Sequence, residues 1–231
     1  MSAPSSWPLP PESIRFVIPR RVVTELAQHP LSQGLYPLGM GYYRQASGHQ
    51  MARKAHDDNL LIYCLDGEGE VKANEYNFRI KPGDILLIPK GIPHTYKARK
   101  KNPWTIYWVH FHGHHAHDFV DHLSQRETAN RKFVMPIGIH SRLASDFEAL
   151  LEARESTYNL NAYICAANQL RQILSHIALL QPLARQKQAR GGLDIEKIHS
   201  LMQARVHEQL DLDTLTETVN LSKYHFVKKY K

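Results

Sequence analysis

Cysteine is nearly absent from this sequence. The two present, Cys64 and Cys165, lie about a hundred positions apart, each inside an apolar run. Neither a disulfide framework nor a cysteine-ligated zinc site is expected, and a reducing compartment fits best. Long apolar runs are missing as well. No stretch approaches the roughly 18 apolar residues of a membrane span, and the start, MSAPSSWPLPPES, has neither the basic opening nor the apolar segment of a signal peptide. These absences predict a cytoplasmic protein with no membrane partner. Acidic side chains are the minority, 22 against 29 Lys and Arg, and the formal charge of +7 points to a partner that is anionic on average. With 12 glycines and 13 prolines in 231 residues, and 42% of the chain hydrophobic, collagen-like, mucin-like and fully disordered classes are excluded. The length suggests two domains, three at the outside.

Residues 1–13 hold four prolines and no periodicity, and read as an extended arm that carries Trp7 and Leu9. From Tyr36 to Phe111 the chain becomes a series of short β-rich runs broken by turn residues, as in an antiparallel sandwich or barrel. In Lys81-Pro82-Gly83-Asp84, proline presets φ at the second position and glycine supplies the positive φ that a type II turn needs at the third. The run 104–111 is apolar or aromatic on both faces. Trp104, Ile106 and Trp108 share one face, and Tyr107, Val109 and Phe111 the other, as expected of a strand lining a lumen on one side and packing under helices on the other. After Gly113 apolar residues recur every three or four positions, so 141–158 and 161–180 read as amphipathic helices. Gln181–Gly192 opens with a helix-stopping proline, ends in two glycines and carries three basic residues and no acid, which marks a boundary. The expected domains are 14–181, a linker 182–193, and a small all-α segment 194–231 with nine basic and six acidic residues in the last 51 positions. The fold class is α+β.

In the tail, Leu212, Leu215 and Val219 make a short apolar stripe, Asn220 ends it, Leu221 is an apolar plug, and Ser222 is a good cap for a final basic helix. That is a helix-turn-helix pattern, which holds a second helix where side chains reach base edges and lysines meet phosphates. On spacing alone, a helical hairpin with solvated lysines explains it equally well. The string LDTLTETVNLSKYHFVKKYK resembles the first helix-turn-helix of the AraC-type transcription regulators, at Leu212, Leu215, Val219, Leu221, Ser222, Tyr224, Phe226 and Lys229. The resemblance implies core roles for Leu215, Val219 and Phe226, and DNA contact by Ser222, Lys223, Tyr224, His225 and Lys228. Such regulators carry two helix-turn-helix units, and the sequence reaches only Lys231, inside the first recognition helix, so it reads as C-terminally truncated.

The β-rich half resembles the same family. Gly83-x5-Pro89-x-Gly91-x2-His94 matches the second motif of cupin barrels, and LLIYCLDGEGEV, IKPGDILLIPKGIPHTY and PWTIYWVHF resemble the effector-binding domain of AraC-type regulators. This implies a cupin-like jelly-roll barrel whose lumen takes a small molecule, with His94, Ile106 and Trp108 facing it and Arg53 near a family arginine that contacts effector. Trp7, Pro8 and Leu9 would form a lid, as an N-terminal arm does in one member. Indole faces stack on sugar C–H faces while arginine and histidine read hydroxyls or a carboxylate, so a sugar or sugar acid is the expected ligand. Core packing is the competing explanation for the tryptophans.

A cupin enzyme would need three histidines and a carboxylate, with an H-x-H pair. His49 and His56 are seven residues apart and only His94 remains, so no metal, no cofactor and no catalytic residue is expected. The run His110-Phe111-His112-Gly113-His114-His115-Ala116-His117 straddles a glycine turn and reads as exposed imidazoles. By resemblance the helix 161–180 would dimerise through Ile164, Leu170, Leu174 and Ile177, or bury that stripe against 141–158. The expectation is therefore a homodimeric regulator that binds an effector and double-stranded DNA in its full-length form, with RNA polymerase as a further partner it could engage. The alternatives are a metal-dependent cupin enzyme acting on a sugar, and a ligand-binding dimerisation module without DNA activity.

Overall fold

A computed structural model describes residues 7–54, 56–124, 133–156, 159–189, 198–199, 201–202, 211–218, 226–227 and 230. Among the described residues ten strands form two antiparallel sheets. They are β1 (Ile14–Val17), β2 (Tyr36–Tyr43), β3 (Gln50–Arg53), β4 (Asn59–Asp66), β5 (Gly69–Ala73), β6 (Tyr76–Ile80), β7 (Asp84–Ile88), β8 (His94–Ala98), β9 (Thr105–His112) and β10 (Val134–Pro136). One sheet has the order β1-β2-β9-β4-β7-β10 and the other β3-β8-β5-β6. The chain crosses repeatedly between them, because the tight turns leave no room for helical crossovers. At Lys81–Asp84 the Asp84 amide donates to the Lys81 carbonyl (3.0 Å) and Gly83 has φ +86°, the left-handed conformation that the turn sequence predicts.

Alternation along the central strands sorts the side chains into two cores. Leu60, Ile62 and Cys64 of β4, Leu86 and Ile88 of β7, and Trp104, Ile106 and Trp108 point between the sheets. Leu61 and Tyr63, Ile85 and Leu87, and Tyr107, Val109 and Phe111 point the opposite way, under helices. The face assignment made for 104–111 therefore holds, and the period of two in every central strand carries it.

The helices that cover the outer face are α1 (Arg20–Gln28), α2 (Ala116–Ser124), α3 (Ser141–Leu151) and α4 (Leu160–Ala189). Helix α1, between β1 and β2, was not anticipated; it buries Val22 and Leu26 in this core. Three expectations change. First, α4 does not stop at Pro182 but runs on to Ala189. An interior proline removes one backbone donor and disfavours the helix, yet α4 continues past it, with buried Gln181 beside it donating through Nε2 to the Leu123 carbonyl (3.1 Å). Second, of the two roles expected for Ile164, Leu170, Leu174 and Ile177, burial within the chain is the one seen: they are at most 8% exposed and belong to the chain's own core. The stripe faces inward because α4 lies along β2 and α3, and buried Asp146 of α3 fixes its rotation by accepting from Gln172 Nε2 (2.7 Å) and pairing with His176 Nδ1 (2.8 Å). Third, of the arm residues expected to form a lid only Trp7 is held against the sandwich, as set out below, whereas Pro8 and Leu9 are exposed.

In the tail, α5 (Leu212–Thr218) begins at Asp211, whose carboxylate accepts from the Thr214 amide (2.8 Å) and hydroxyl (2.7 Å), an N-cap. Leu215, Phe226 and Ile198 form a small buried cluster with Leu201 and Met202 beside it. Val219, Ser222, Lys223, Tyr224, His225 and Lys228 lie outside the described residues.

Tyr63 ties the sandwich to the segment leading into α3, since its hydroxyl donates to the Gly138 carbonyl (3.1 Å) and accepts from the His140 amide (2.8 Å). Tyr63→Phe leaves two part-buried backbone groups, at Gly138 and His140, without that partner and should cost about 1–2 kcal/mol. Urea unfolding checks it: the midpoint should fall with the slope unchanged.

Candidate ligand-binding site

Between the sheets lies a pocket of about 610 Å³, open mouth included. Its apolar walls include Ile62 and Ile106 from the six-stranded sheet and Met51 from the other, with Trp108 and Tyr43 as the aromatic surfaces. Six polar or charged residues join them: Arg15, His49, Arg53, Asp58, Tyr96 and His110. Of the five residues expected to contact a ligand, Arg53, Ile106 and Trp108 line the pocket directly. His94 sits just behind the wall, opposite Arg53 in register and stacked at 6.0 Å on Tyr96.

Trp7 roofs the pocket rather than lining it. Its ring packs 5.1 Å from Tyr43 and 4.8 Å from His49, its indole nitrogen donates to the Ser47 carbonyl (3.1 Å), and its own carbonyl accepts from Arg15 Nη2 (2.7 Å). Arg15 Nε also donates to the Tyr43 hydroxyl (2.9 Å). A proline-rich segment was expected to lie extended; here one aromatic anchor and one arginine hold it against the sheet edge.

The polar interior is ordered by Asp58. Its Oδ1 meets Nδ1 of His56 at 3.2 Å and Nδ1 of His110 at 3.0 Å. Burial alone would raise this carboxyl's pKa, but hydrogen bonds from His110 and His56 outweigh it and hold the group well below the usual carboxylate range. His56 Nε2 faces the Ile92 carbonyl at 3.1 Å. Both of its nitrogens thus oppose oxygens that only accept, so both contacts are hydrogen bonds only when the ring carries two protons. His94 contributes its Nδ1–H to the same Ile92 carbonyl (2.8 Å), and its ring stands edge-on to His56 at 4.6 Å. Among the described residues that leaves His94 Nε2 buried with no hydrogen-bond partner.

His94 is therefore not the isolated imidazole that counting along the chain suggested. His110 is not one of a row of exposed imidazoles either. It follows Ile106 and Trp108 at two-residue spacing, so the same alternation carries it inward, whereas His114, His115 and His117 are exposed. His49 was set aside as a lone candidate ligand; the fold uses it as an acceptor for Trp104 Nε1 (3.2 Å) amid the rings of Trp7, Tyr43 and Tyr96. Tyr43, Asp58 and Tyr96 carried no signal in the local sequence, and Arg15 stands in a segment whose pairing to β2 only the fold reveals. Among the described residues no group of three or more His, Cys, Asp or Glu is arranged to hold a metal ion.

Known proteins were compared against this geometry. The family described as AraC-like ligand binding domain matches residues 37–174, which includes most of the pocket. The chain belongs to that family. It is also 40% identical over its whole length to the MmsAB operon regulatory protein of Pseudomonas aeruginosa, 74% of which it covers. A more remote relative, the Msm operon regulatory protein of Streptococcus mutans, is 19% identical over 80% of the chain and 66% of its own length. Protein YhaK from Escherichia coli overlaps 44% of each chain at 18% identity with a TM-score of 0.34, too partial to add to the topology above. Both relatives are operon regulatory proteins. No helix among the described residues is long and apolar enough to cross a membrane.

Two of the AraC-type domain's buried histidines make its stability sensitive to pH. Burial lowers His49 from 6.5 to about 4, helped by Arg15, and burial lowers His94 to about 4 as well. In the unfolded chain both take up a proton near pH 6.5, while the folded chain refuses it until about 4. Their contribution is therefore complete above pH 6.5 and lost as the pH falls toward 4, at up to about 1.4 kcal/mol per pH unit for each group. Thermal or urea unfolding between pH 7 and 4 should show this slope. His49→Gln, which keeps an acceptor for Trp104, should flatten it; an undiminished slope would assign the effect to other groups.

Proposed function

We propose that this protein is a ligand-responsive transcription regulator of the AraC type. A small-molecule effector, a sugar or sugar acid, occupies the pocket between the sheets; residues 194–231 read double-stranded DNA as a helix-turn-helix; and two copies act together in the cytoplasm. The observation that carries the reading is the pocket itself, with an aromatic wall at Trp108 and Tyr43 and one arginine from each sheet, Arg15 and Arg53.

An effector acts only through different affinities for two arrangements of the molecule. The arm offers such an element, because Arg15 both lines the pocket and holds the Trp7 carbonyl. With the inner stripe of α4 buried, a dimer through this helix would use the outer row that contains Cys165, Asn168, Ser175, Leu179 and Leu183, of which Leu179 is 64% exposed. For the DNA-reading segment, the capped α5 and the shared burial of Leu215 and Phe226 support a small separate core. The metal-dependent enzyme finds less support, since His56 and His110 both spend a nitrogen on Asp58.

Replacing Lys223 and Lys228 together with glutamine should weaken binding to duplex DNA and reduce the slope of log K against log salt by about two, since each lost phosphate contact removes about 0.9. Fluorescence anisotropy across a salt series checks this. An unchanged slope would show that the two lysines do not meet phosphates. Trp108→Ala, deep in the sandwich, should leave that slope alone while weakening the effector response.

A further inference from the structure

Asp58 and His110 both line the pocket, and each has an atom there that only accepts hydrogen bonds. Asp58 stands just ahead of β4, whose Leu60 pairs with His110 in register. The bonds that hold Asp58 fall on one oxygen. Oδ1 meets Nδ1 of His56 at 3.2 Å and Nδ1 of His110 at 3.0 Å, while Oδ2 has no hydrogen-bond partner among the described residues. Although burial opposes it, bonding from the two rings keeps the carboxyl ionised.

That carboxylate fixes the hydrogen on His110. An ionised oxygen cannot donate, so Nδ1 of His110 must carry the hydrogen between them. Burial lowers the ring's pKa by more than Asp58 raises it, and near pH 7 the ring is neutral, with a lone pair on Nε2. Giving its Nδ1 hydrogen to a carboxylate also makes Nε2 a stronger acceptor. Nε2 has no partner among the described residues, and neither it nor Asp58 Oδ2 is sealed off as His94 Nε2 is.

Two acceptors on hydrogen-bonded neighbours call for a molecule that brings two donors. Hydroxyls do so without adding charge, and the aromatic surfaces of Trp108 and Tyr43 suit the C–H faces of the same molecule. An ammonium also donates, but it would enter the positive field of Arg53 that already opposes a charge on His110. Resting on the pocket's assignment as the effector site, we propose that Asp58 Oδ2 and His110 Nε2 form a two-acceptor subsite that takes two hydroxyl hydrogens of a polyol. The pair determines specificity: a ligand that lacks either hydroxyl leaves an acceptor desolvated and unpaired. His56 is a positioning residue that holds the carboxylate.

The test is calorimetric titration of the full chain near neutral pH with D-ribose, D-xylose and D-glucose, their monodeoxy analogues, and n-butylamine. At least one sugar should bind, and His110→Phe, which keeps a ring but removes the acceptor, should weaken it about tenfold or more. One monodeoxy analogue should bind about tenfold more weakly than its parent in the unaltered chain and about equally in His110→Phe, because the lost hydroxyl and the lost acceptor are partners. Nitrogen-15 shifts of the unaltered chain should show His110 with hydrogen on Nδ1 only, and its Nε2 should respond to saturating sugar. A hydrogen on Nε2, a folded His110→Phe that retains every deoxy penalty, or butylamine binding as tightly as the sugars would each overturn the proposal. Sugar binding weakened by Trp108→Ala but not by His110→Phe would remove the subsite and leave the pocket as effector site; no binding by any sugar would remove both the subsite and the sugar reading. Should His110→Phe fail to fold, the Nε2 shift with and without sugar still decides.

Discussion

The structure turns on a strand that must be apolar on both faces. β9 lies between β2 and β4 in the six-stranded sheet, with the second sheet on one side and the helices on the other. Every side chain it carries from Thr105 to Val109 is buried, so the period of two assigns each to one core or the other without remainder. Slipping the register by one residue would push Trp108 under the helices and Tyr107 into the pocket, which places both the fold and the site under one constraint. His110 continues the inward face, and that is how a polar residue enters the sandwich.

Burying polar groups there is costly unless each is bonded, and the protein meets the cost with one carboxylate. Asp58 gathers two imidazoles from different parts of the chain, and the Ile92 carbonyl accepts from His94 Nδ1 and faces His56 Nε2. The same network that stabilises the interior thereby fixes which nitrogen of His94 bears a hydrogen. Above it, Arg15 joins the pocket to the arm through Trp7 and Tyr43, so the wall and the roof share one side chain.

How much of this could be read along the chain differs by element. The strands from Tyr36 to Phe111 and the turn at Gly83 were legible because period two and turn chemistry are local properties. Ile106 and Trp108 line the pocket as alternation implied and Arg53 as the resemblance implied, whereas neither His94's place behind the wall nor its partners were legible. The end of α4 was misread because a proline's effect depends on what anchors its neighbours, and Gln181 is anchored by a carbonyl 58 residues away. The apolar stripe of α4 was read correctly as a stripe; periodicity cannot say whether the surface it faces belongs to the same chain or to another.

The sequence by itself determined the alternating strands, the helical periodicity, the scarcity of cysteine and the basic balance, since each is set by neighbours a few residues apart. Tertiary structure alone decided that His56, Asp58, His94 and His110 share one buried network, that Arg15 and Arg53 oppose each other across the sandwich, and that Ile164, Leu170, Leu174 and Ile177 face inward. The physical reason is that burial, tautomer and net charge in a pocket depend on groups brought together from strands far apart in the chain, and no local pattern records who those neighbours are.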